Sequence, residues 1–204
     1  IGPGMFLNCK KLISIDIPAN IKYIGQEAFY GTGLENVALP DSVTDIKSSA
    51  FADNENLKTI VIPNSVTELA YYTFENCESL LEIEIPDSVE TIRRGALDNT
   101  GWYNNQENGV VYAGKVLYRY KGKAPEATAV TVKDGTKGIS ADAFTGQSEI
   151  TEINIPNTVT NIGNYAFSGC ELLKEIEIPK SVTEIGYMAL GYLGKNYLWA
   201  GSPL

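Results

Sequence analysis

Two pairs of acidic residues have a spacing that could support chemistry. Glu82 and Glu84 are separated by one residue, as are Glu175 and Glu177. On a β-strand such side chains share a face and lie roughly 7 Å apart, a separation that inverting glycosidases use for their two carboxyl groups. Carboxylates on a surface also attract basic peptides and divalent cations. No surrounding pattern buries one acid to raise its pKa, so we expect a solvated or binding surface and not a catalytic site.

A cluster of aromatic residues is the second candidate. We call it the aromatic cluster, and it comprises Trp102, Tyr103, Tyr112, Tyr118 and Tyr120. Tyrosine and tryptophan dominate binding hot spots, so outward-facing members would form a contact surface for a partner. The alternative is that the rings cover the apolar ends of neighbouring structural elements. The first interpretation fails if Trp102, Tyr112 and Tyr118 all prove buried.

Nucleophilic and metal chemistry have little support. The sequence contains no histidine, which removes the Ser/His/Asp and Cys/His arrangements of many hydrolases. Three cysteines remain, and Cys9, Cys77 and Cys170 each follow a phenylalanine by three residues. We expect no enzyme activity, no catalytic residue, no cofactor and no metal site.

An internal repeat of about 23 residues must position all these residues. Its pattern is L-x-x-I-x-I-P-x-S-V-T-x-I-G-x-x-A-F-x-x-C. Copies begin at Leu12, Leu34, Leu57, Leu80, Ile150 and Leu173, with a weaker copy at Ala127. A fixed period of this length predicts a repeat solenoid.

Each copy of the repeat translates into one coil. Ile83 and Ile85 alternate as in a short strand, and Pro86 ends its hydrogen-bond ladder because proline has no N–H. A turn follows, and the G-x-x-A-F segment is typical of a short helical or 3₁₀ turn. Stacking the coils creates a continuous core. The three cysteines then lie at least three coils apart, far beyond disulfide reach, so we expect three free, inward-facing thiols.

The repeat carries a family resemblance. The run Leu173-Lys-Glu-Ile-Glu-Ile-Pro-Lys-Ser-Val-Thr-Glu-Ile-Gly, continuing to Ala189, resembles the BspA-like leucine-rich repeat family of bacterial surface proteins. The resemblance implies a right-handed leucine-rich-repeat-like coil of short parallel β-strands with turns and short helical segments. It also implies a secreted or surface-attached protein, some relatives being adhesins. It brings no catalytic residues.

One stretch interrupts the repeat. Between Asp98 and Glu126 the pattern is lost, and Val110 to Tyr112 and Lys115 to Tyr120 read as two strands joined around Ala113-Gly114. We therefore expect a single solenoid over residues 1–204, part of a longer array, with a β-hairpin insertion at 98–126. Coils without caps at its ends could pair end to end with another chain.

Charge limits the range of partners. The 25 acidic residues outnumber the 16 basic ones, giving a net charge of −9, so nucleic acid is not an expected partner. No apolar stretch is long enough to insert into a membrane. We expect an extracellular or cell-surface interaction module that binds a protein or carbohydrate on a host or neighbouring cell. The alternative is a structural spacer that presents another domain.

Overall fold

The computed structural model describes residues 1–191. Its chain forms two compact units. The first comprises Ile1–Val89 and Arg93–Gln106, and the second comprises Glu90–Ile92 and the chain from Glu107 onward. Each unit is built from parallel β-solenoid coils, about seven turns in all, which confirms the fold class predicted from the repeat. A typical coil contributes two short strands, called here the first strand and the second strand in chain order.

The first unit contains one sheet of first strands and shorter second-strand pairs. Its elements are β1 (Tyr23–Ile24), β2 (Asn36–Ala38), β3 (Asp45–Ile46), β4 (Thr59–Val61), β5 (Glu68–Leu69), β6 (Glu82–Glu84) and the helix α1 (Gly101–Asn104). The first strands β2, β4 and β6 pair in parallel and align Val37, Ile60 and Ile83. Because alternate side chains of a strand point to opposite faces, these apolar residues point toward the core and their neighbours toward solvent.

The second unit has the same two kinds of ladder. Its elements are β7 (Thr91–Ile92), β8 (Gly109–Ala113), β9 (Val116–Lys121), β10 (Thr128–Thr131), β11 (Gly138–Ile139), β12 (Ile150–Asn154), β13 (Asn161–Ile162) and β14 (Glu184–Ile185). The first strands β10 and β12 pair in parallel. The second-strand sheet has the order β14-β13-β11-β9-β8.

The Ala-Phe segment of each coil is a series of turns and not the short helix that the sequence predicts. The residue before the alanine position has a positive φ in coil after coil: Gly4, Glu27, Ser49, Tyr72, Gly95, Asp142, Tyr165 and Met188. A left-handed residue interrupts a right-handed helix, so regular helix cannot propagate through the segment. Within residues 1–191, α1 is the only helix.

These turns join neighbouring coils through backbone hydrogen bonds that all run in one direction. Glu27 N donates to Ser48 O at 3.1 Å, and Phe29 N donates to Ala50 O at 2.8 Å. The same alternating pattern begins again at Ser49, Tyr72 and Asp142. In each case the N–H belongs to the earlier coil and the carbonyl oxygen to the later one.

A column of phenylalanine rings fills the core beneath the turns. In the first unit Phe6, Phe29, Phe51 and Phe74 stack nearly parallel, with centroids 5.2, 5.2 and 5.7 Å apart. In the second unit Phe144 and Phe167 stack at 5.6 Å. One ring per coil therefore transmits packing from coil to coil.

The predicted hairpin is present. Strands β8 and β9 pair antiparallel, with Ala113 opposite Val116 and a register shift between Val111 and Tyr112. Gly114 opens the turn with a φ of 57°, which glycine adopts at little cost. Strand β9 also pairs in parallel with β11, so the hairpin continues the second-strand ladder of its unit.

Candidate functional site

The structure divides the aromatic cluster. Tyr118 is completely buried, so this candidate residue is not available to a partner and follows the alternative of core packing. It follows Leu117 on β9, where the hairpin packs as part of the ladder and not as a free arm. Tyr120 is half-buried, and its ring centroid lies 6.2 Å from that of Phe144 in the core. Tyr112 is also half-buried, and its hydroxyl oxygen accepts a hydrogen bond from Lys133 N at 2.8 Å.

Trp102 and Tyr103 lie on α1 and not on the hairpin, contrary to the prediction of one shared surface. Thr100 caps this helix by accepting from Tyr103 N at 3.1 Å, and Trp102 N donates to Leu80 O at 2.6 Å. Both aromatic side chains are half-buried. They keep partly accessible surface, but the five residues of the cluster do not form one exposed patch because Tyr118 belongs to the core.

The acidic pair of the first unit lies on a paired strand. Glu82 and Glu84 flank Ile83 on β6 and are both exposed. Thr59 and Val61, their partners in register on β4, are also exposed. Strand geometry thus places this pair on the outer face of the sheet, as the sequence predicts.

The acidic pair of the second unit lines a groove. This groove, with a volume of about 940 Å³, runs over the first-strand face between β12 and the segment 172–179, and we call it the strand-face groove. Glu175 and Glu177 lie on its rim with Glu152 and Lys174, all of them exposed. The rim therefore carries three carboxylates and one ammonium group, which gives it a negative potential.

Apolar residues form the floor of the groove, and the neutral polar residues Thr131, Thr151, Asn154 and Asn157 also line it. Buried Ile153 and Ile176 line it together with half-buried Ile155. Leu172 lines it too, although 45% of its surface is exposed. A groove with both apolar and polar lining can hold a ligand by burial and orient it by polar contacts.

Most of the charged rim has no partner within the described part of the chain. Glu152 Oε1 accepts from Asn154 Nδ2 at 2.8 Å. Across residues 1–191, no ion pair engages Glu175, Glu177 or Lys174. These three side chains are therefore free to meet charges on a partner.

The backbone on both sides of the groove is also unpaired. Strand β12 is paired with β10 on one side only. Among residues 1–191, no backbone hydrogen bond joins residues 150–157 to residues 173–180. The same two coils are joined elsewhere, since β13 pairs with β14 and Phe167 N donates to Ala189 O at 2.8 Å. The coils thus separate along the first strand alone, where the groove lies.

Sequence reasoning located Glu175 and Glu177 but missed Leu172 and the groove itself. One signal was available, because the repeat position of Leu172 holds Asn56 and Ser79 in other coils. An apolar residue at a position that is otherwise polar adds to the exposed apolar surface of its coil. Nothing in the sequence indicates that β12 and residues 173–180 do not pair.

The cysteines do not form a reactive centre. Cys77 and Cys170 are buried, and each thiol donates to a phenylalanine carbonyl of the preceding coil, Phe51 O at 3.1 Å and Phe144 O at 3.3 Å. Burial raises the pKa of each of these thiols to about 12. All three cysteines are free, as predicted, but the prediction that Cys9 faces inward is wrong.

In the described range 1–191, no group of three or more cysteine, aspartate or glutamate side chains is placed to hold a metal ion. No helix in that range has the length and apolar character needed to cross a membrane.

The sequence matches one family over most of its length. The match is to the BspA type leucine rich repeat region, in six copies, over residues 1–106 and 123–195. The chain belongs to the BspA-type leucine-rich repeat family. The gap between the matched ranges contains the hairpin, so the hairpin interrupts the family repeat in the sequence as it does in the structure.

The chain is similar to solved structures of bacterial leucine-rich repeat proteins, and the first of these shares its fold. One from Bacteroides ovatus is 23% identical, with a TM-score of 0.54, over 93% of this chain and 66% of that one. One from Eubacterium ventriosum is 30% identical, with a TM-score of 0.43, over 88% of this chain and 58% of that one. A leucine rich cell surface protein from Faecalibacterium prausnitzii is 23% identical, with a TM-score of 0.42, over 91% and 72% of the two chains.

The chain is shorter than these relatives. It spans less than two thirds of the length of the Bacteroides and Eubacterium proteins. A comparison with curated proteins finds no match.

Proposed function

We propose that this chain is a non-catalytic interaction module of the bacterial cell surface, which adheres to a protein or carbohydrate on a host or neighbouring cell. The observation that carries the proposal is the strand-face groove. It combines an apolar floor, exposed carboxylates without ion-pair partners and a volume sufficient for a ligand. A spacer has no need of such a concave, charged surface.

Two features support a binding role over a catalytic one. Glu175 and Glu177 are both exposed, so burial does not set one carboxyl apart from the other as a general acid. The buried thiols of Cys77 and Cys170, with a pKa of about 12, stay protonated at neutral pH and cannot act as nucleophiles.

The surface location rests on the family. BspA-type repeats form a cell-surface family. This location supports binding of a partner on another cell, because an exposed groove on a surface protein faces whatever the cell meets.

A binding titration tests the proposed function. The chain is titrated against immobilised host matrix proteins and a glycan panel, beside the double variant Glu175→Gln/Glu177→Gln. Glu82→Gln/Glu84→Gln is the matched control, since it removes the same charges at the same two positions of another first strand. We expect saturable binding that the first variant weakens and the control does not.

The half-buried aromatic residues provide a second comparison. The variants Tyr103→Ala and Tyr112→Ala test whether the remaining parts of the aromatic cluster contribute to contact. Binding lost in these variants and retained in Glu175→Gln/Glu177→Gln would place the contact on the aromatic residues. Absence of binding to every panel member would favour the spacer.

A further inference from the structure

The unpaired strand edge at the groove offers backbone groups to a ligand. A strand at the edge of a sheet presents N–H and C=O groups that another strand can pair with. Strand β12 has such an edge, and the following coil leaves it open along residues 173–180. Strand β4, by contrast, is covered on this side by β6. An extended polypeptide is the class of ligand that uses such an edge, by strand addition.

The side chains around this edge indicate what the polypeptide must carry. Glu152, Glu175 and Glu177 form an acidic rim, while Ile153 and Ile176 lie in the floor. In an extended peptide successive side chains alternate between two faces. A peptide in which lysine or arginine alternates with apolar residues would therefore direct its cations to the rim and its apolar groups to the floor.

We propose that the strand-face groove binds an extended cationic polypeptide segment that pairs with the free edge of β12. This inference rests on the proposed function and names the class of partner. Opposite charge selects the partner and speeds its approach, and the apolar floor and backbone pairing hold it. The negative charge of the whole chain, −9, acts in the same direction.

Fluorescence anisotropy with defined peptides tests the proposal. The probe is a labelled peptide of about seven residues, the length of a typical strand, in which lysine and valine alternate. One comparison peptide replaces lysine by glutamate. Another keeps every side chain but carries N-methyl groups on alternate backbone nitrogens, so that one edge of the peptide has no backbone N–H groups to donate hydrogen bonds. We expect saturable binding of the lysine peptide and at least about a tenfold loss with either comparison peptide.

Variants of the protein locate the site. Glu175→Gln/Glu177→Gln should weaken the lysine peptide about threefold to tenfold, because exposed ion pairs each contribute modestly. Lys174→Glu should strengthen binding, since it converts the one cation of the rim into an anion. A gain of affinity cannot come from misfolding, which keeps the test decisive. Glu55→Gln/Glu78→Gln removes two exposed acids that do not line the groove, and it should leave the affinity unchanged.

The outcomes separate this inference from the proposed function. Equal binding of the N-methylated peptide would overturn strand pairing, and equal binding by all protein variants would overturn the site. Failure of every peptide together with saturable binding to a glycan or matrix protein would overturn the cationic-peptide inference and leave the proposed function standing. Failure of both experiments would overturn both.

Discussion

Asn54 connects two coils of the first unit through a single buried amide. Its Nδ2 donates to Phe29 O and Phe51 O, both at 2.8 Å, and its Oδ1 accepts from Thr32 N at 2.9 Å. Cys77 and Cys170 occupy the same repeat position and make one of these bonds, to the carbonyl of the preceding coil. This repeat position therefore supplies a hydrogen-bond donor to the carbonyl of the preceding coil, and the asparagine at position 54 also supplies an acceptor for Thr32 N.

Asn54→Ala should be strongly destabilising. It leaves Phe29 O and Thr32 N buried without partners, while Phe51 O keeps only the bond from the Cys77 thiol. We expect a loss of about 3 kcal/mol in the free energy of unfolding. Asn54→Cys should cost less, because a thiol can still donate to Phe29 O as Cys77 does to Phe51 O. Urea unfolding followed by circular dichroism measures both. Equal losses for the two variants would contradict the hydrogen-bond argument and indicate a packing effect.

The three thiols should differ sharply in reactivity. At about pH 8, Cys9 should react rapidly with a thiol reagent, and Cys77 and Cys170 should react only after unfolding, because burial removes access and raises their pKa to about 12. The reagent's absorbance gives the count in the native and denatured protein. Cys9→Ser is the control and should abolish the rapid phase. Rapid labelling of two thiols in the native state would refute this assignment.

The same pKa shifts have a consequence for stability. The thiols of Cys77 and Cys170 have a raised pKa in the folded protein, so their contribution is complete below the ordinary thiol value of 9.0. It is lost as pH rises from that value toward about 12, since the unfolded chain releases these protons first. Cys77→Ala should flatten this part of the stability profile, as measured by urea unfolding across the alkaline range. An unchanged slope would contradict the shift.

At the scale of the element, the left-handed residue before each alanine position shapes the turn. Gly95 holds this position with a φ of 71°, and a Cβ built on it would lie 2.2 Å from Cδ1 of Tyr72. The ring of Tyr72 thus packs directly against the glycine of the next coil.

Gly95→Ala should lower stability more than Gly146→Ala. Gly146 has a similar φ of 73°, but no atom lies within 4 Å of a Cβ built on it. Both variants therefore carry the backbone cost of about 1 kcal/mol for an alanine at positive φ. Only Gly95→Ala must also displace the ring of Tyr72. Thermal unfolding of the two variants measures the difference. Gly95→Ala in a Tyr72→Ala background should lose its additional cost. Equal effects of Gly95→Ala and Gly146→Ala would show that the ring is not held in place.

The sequence predicts some elements well and others poorly, for physical reasons. The hairpin was predictable because alternating apolar residues flank Gly114, which the turn requires at a φ of 57°. The turn geometry was not, because residues such as Tyr72 and Met188 adopt a positive φ that their own preferences oppose. Backbone hydrogen bonds between coils select that conformation, and they are absent from a single copy of the repeat.

At the scale of the whole molecule, the phenylalanine column couples each coil to its neighbours. Phe51 stacks on Phe29 at 5.2 Å and on Phe74 at 5.7 Å. In a solenoid, stability is the sum of each coil's own stability and the contacts with its two neighbours, so damage should spread along the stack and fade with distance.

Phe51→Ala should therefore produce a graded loss of protection. We expect it to cost about 3–5 kcal/mol locally. Native-state hydrogen exchange should show the largest loss in the coils of Phe29, Phe51 and Phe74, and a smaller loss in the coil of Phe6. A uniform loss over every amide of the first unit would show that this unit unfolds as one cooperative block.

The candidate site was predictable only in part at this scale. The repeat pattern alone assigns Glu175 and Glu177 to an exposed strand face, and that placement holds. It also assigns residues 174–178 to a strand, yet this segment does not pair with β12. Pairing depends on the fit between two particular coils, and a pattern shared by every copy carries no information about that fit. The groove lies where this pairing is missing.

The constant donor-to-acceptor direction of the hydrogen bonds between turns affects how such a repeat array can change its length in evolution. Every coil offers donors to its successor and acceptors to its predecessor, as Phe29 N and Ala50 O illustrate. A duplicated segment of about 23 residues thus already has its N–H donors directed toward the next coil and its carbonyl acceptors toward the previous one. Gene duplication can lengthen or shorten the array by whole coils without inverting a bond, whereas a change that is not a multiple of the period breaks the register at once.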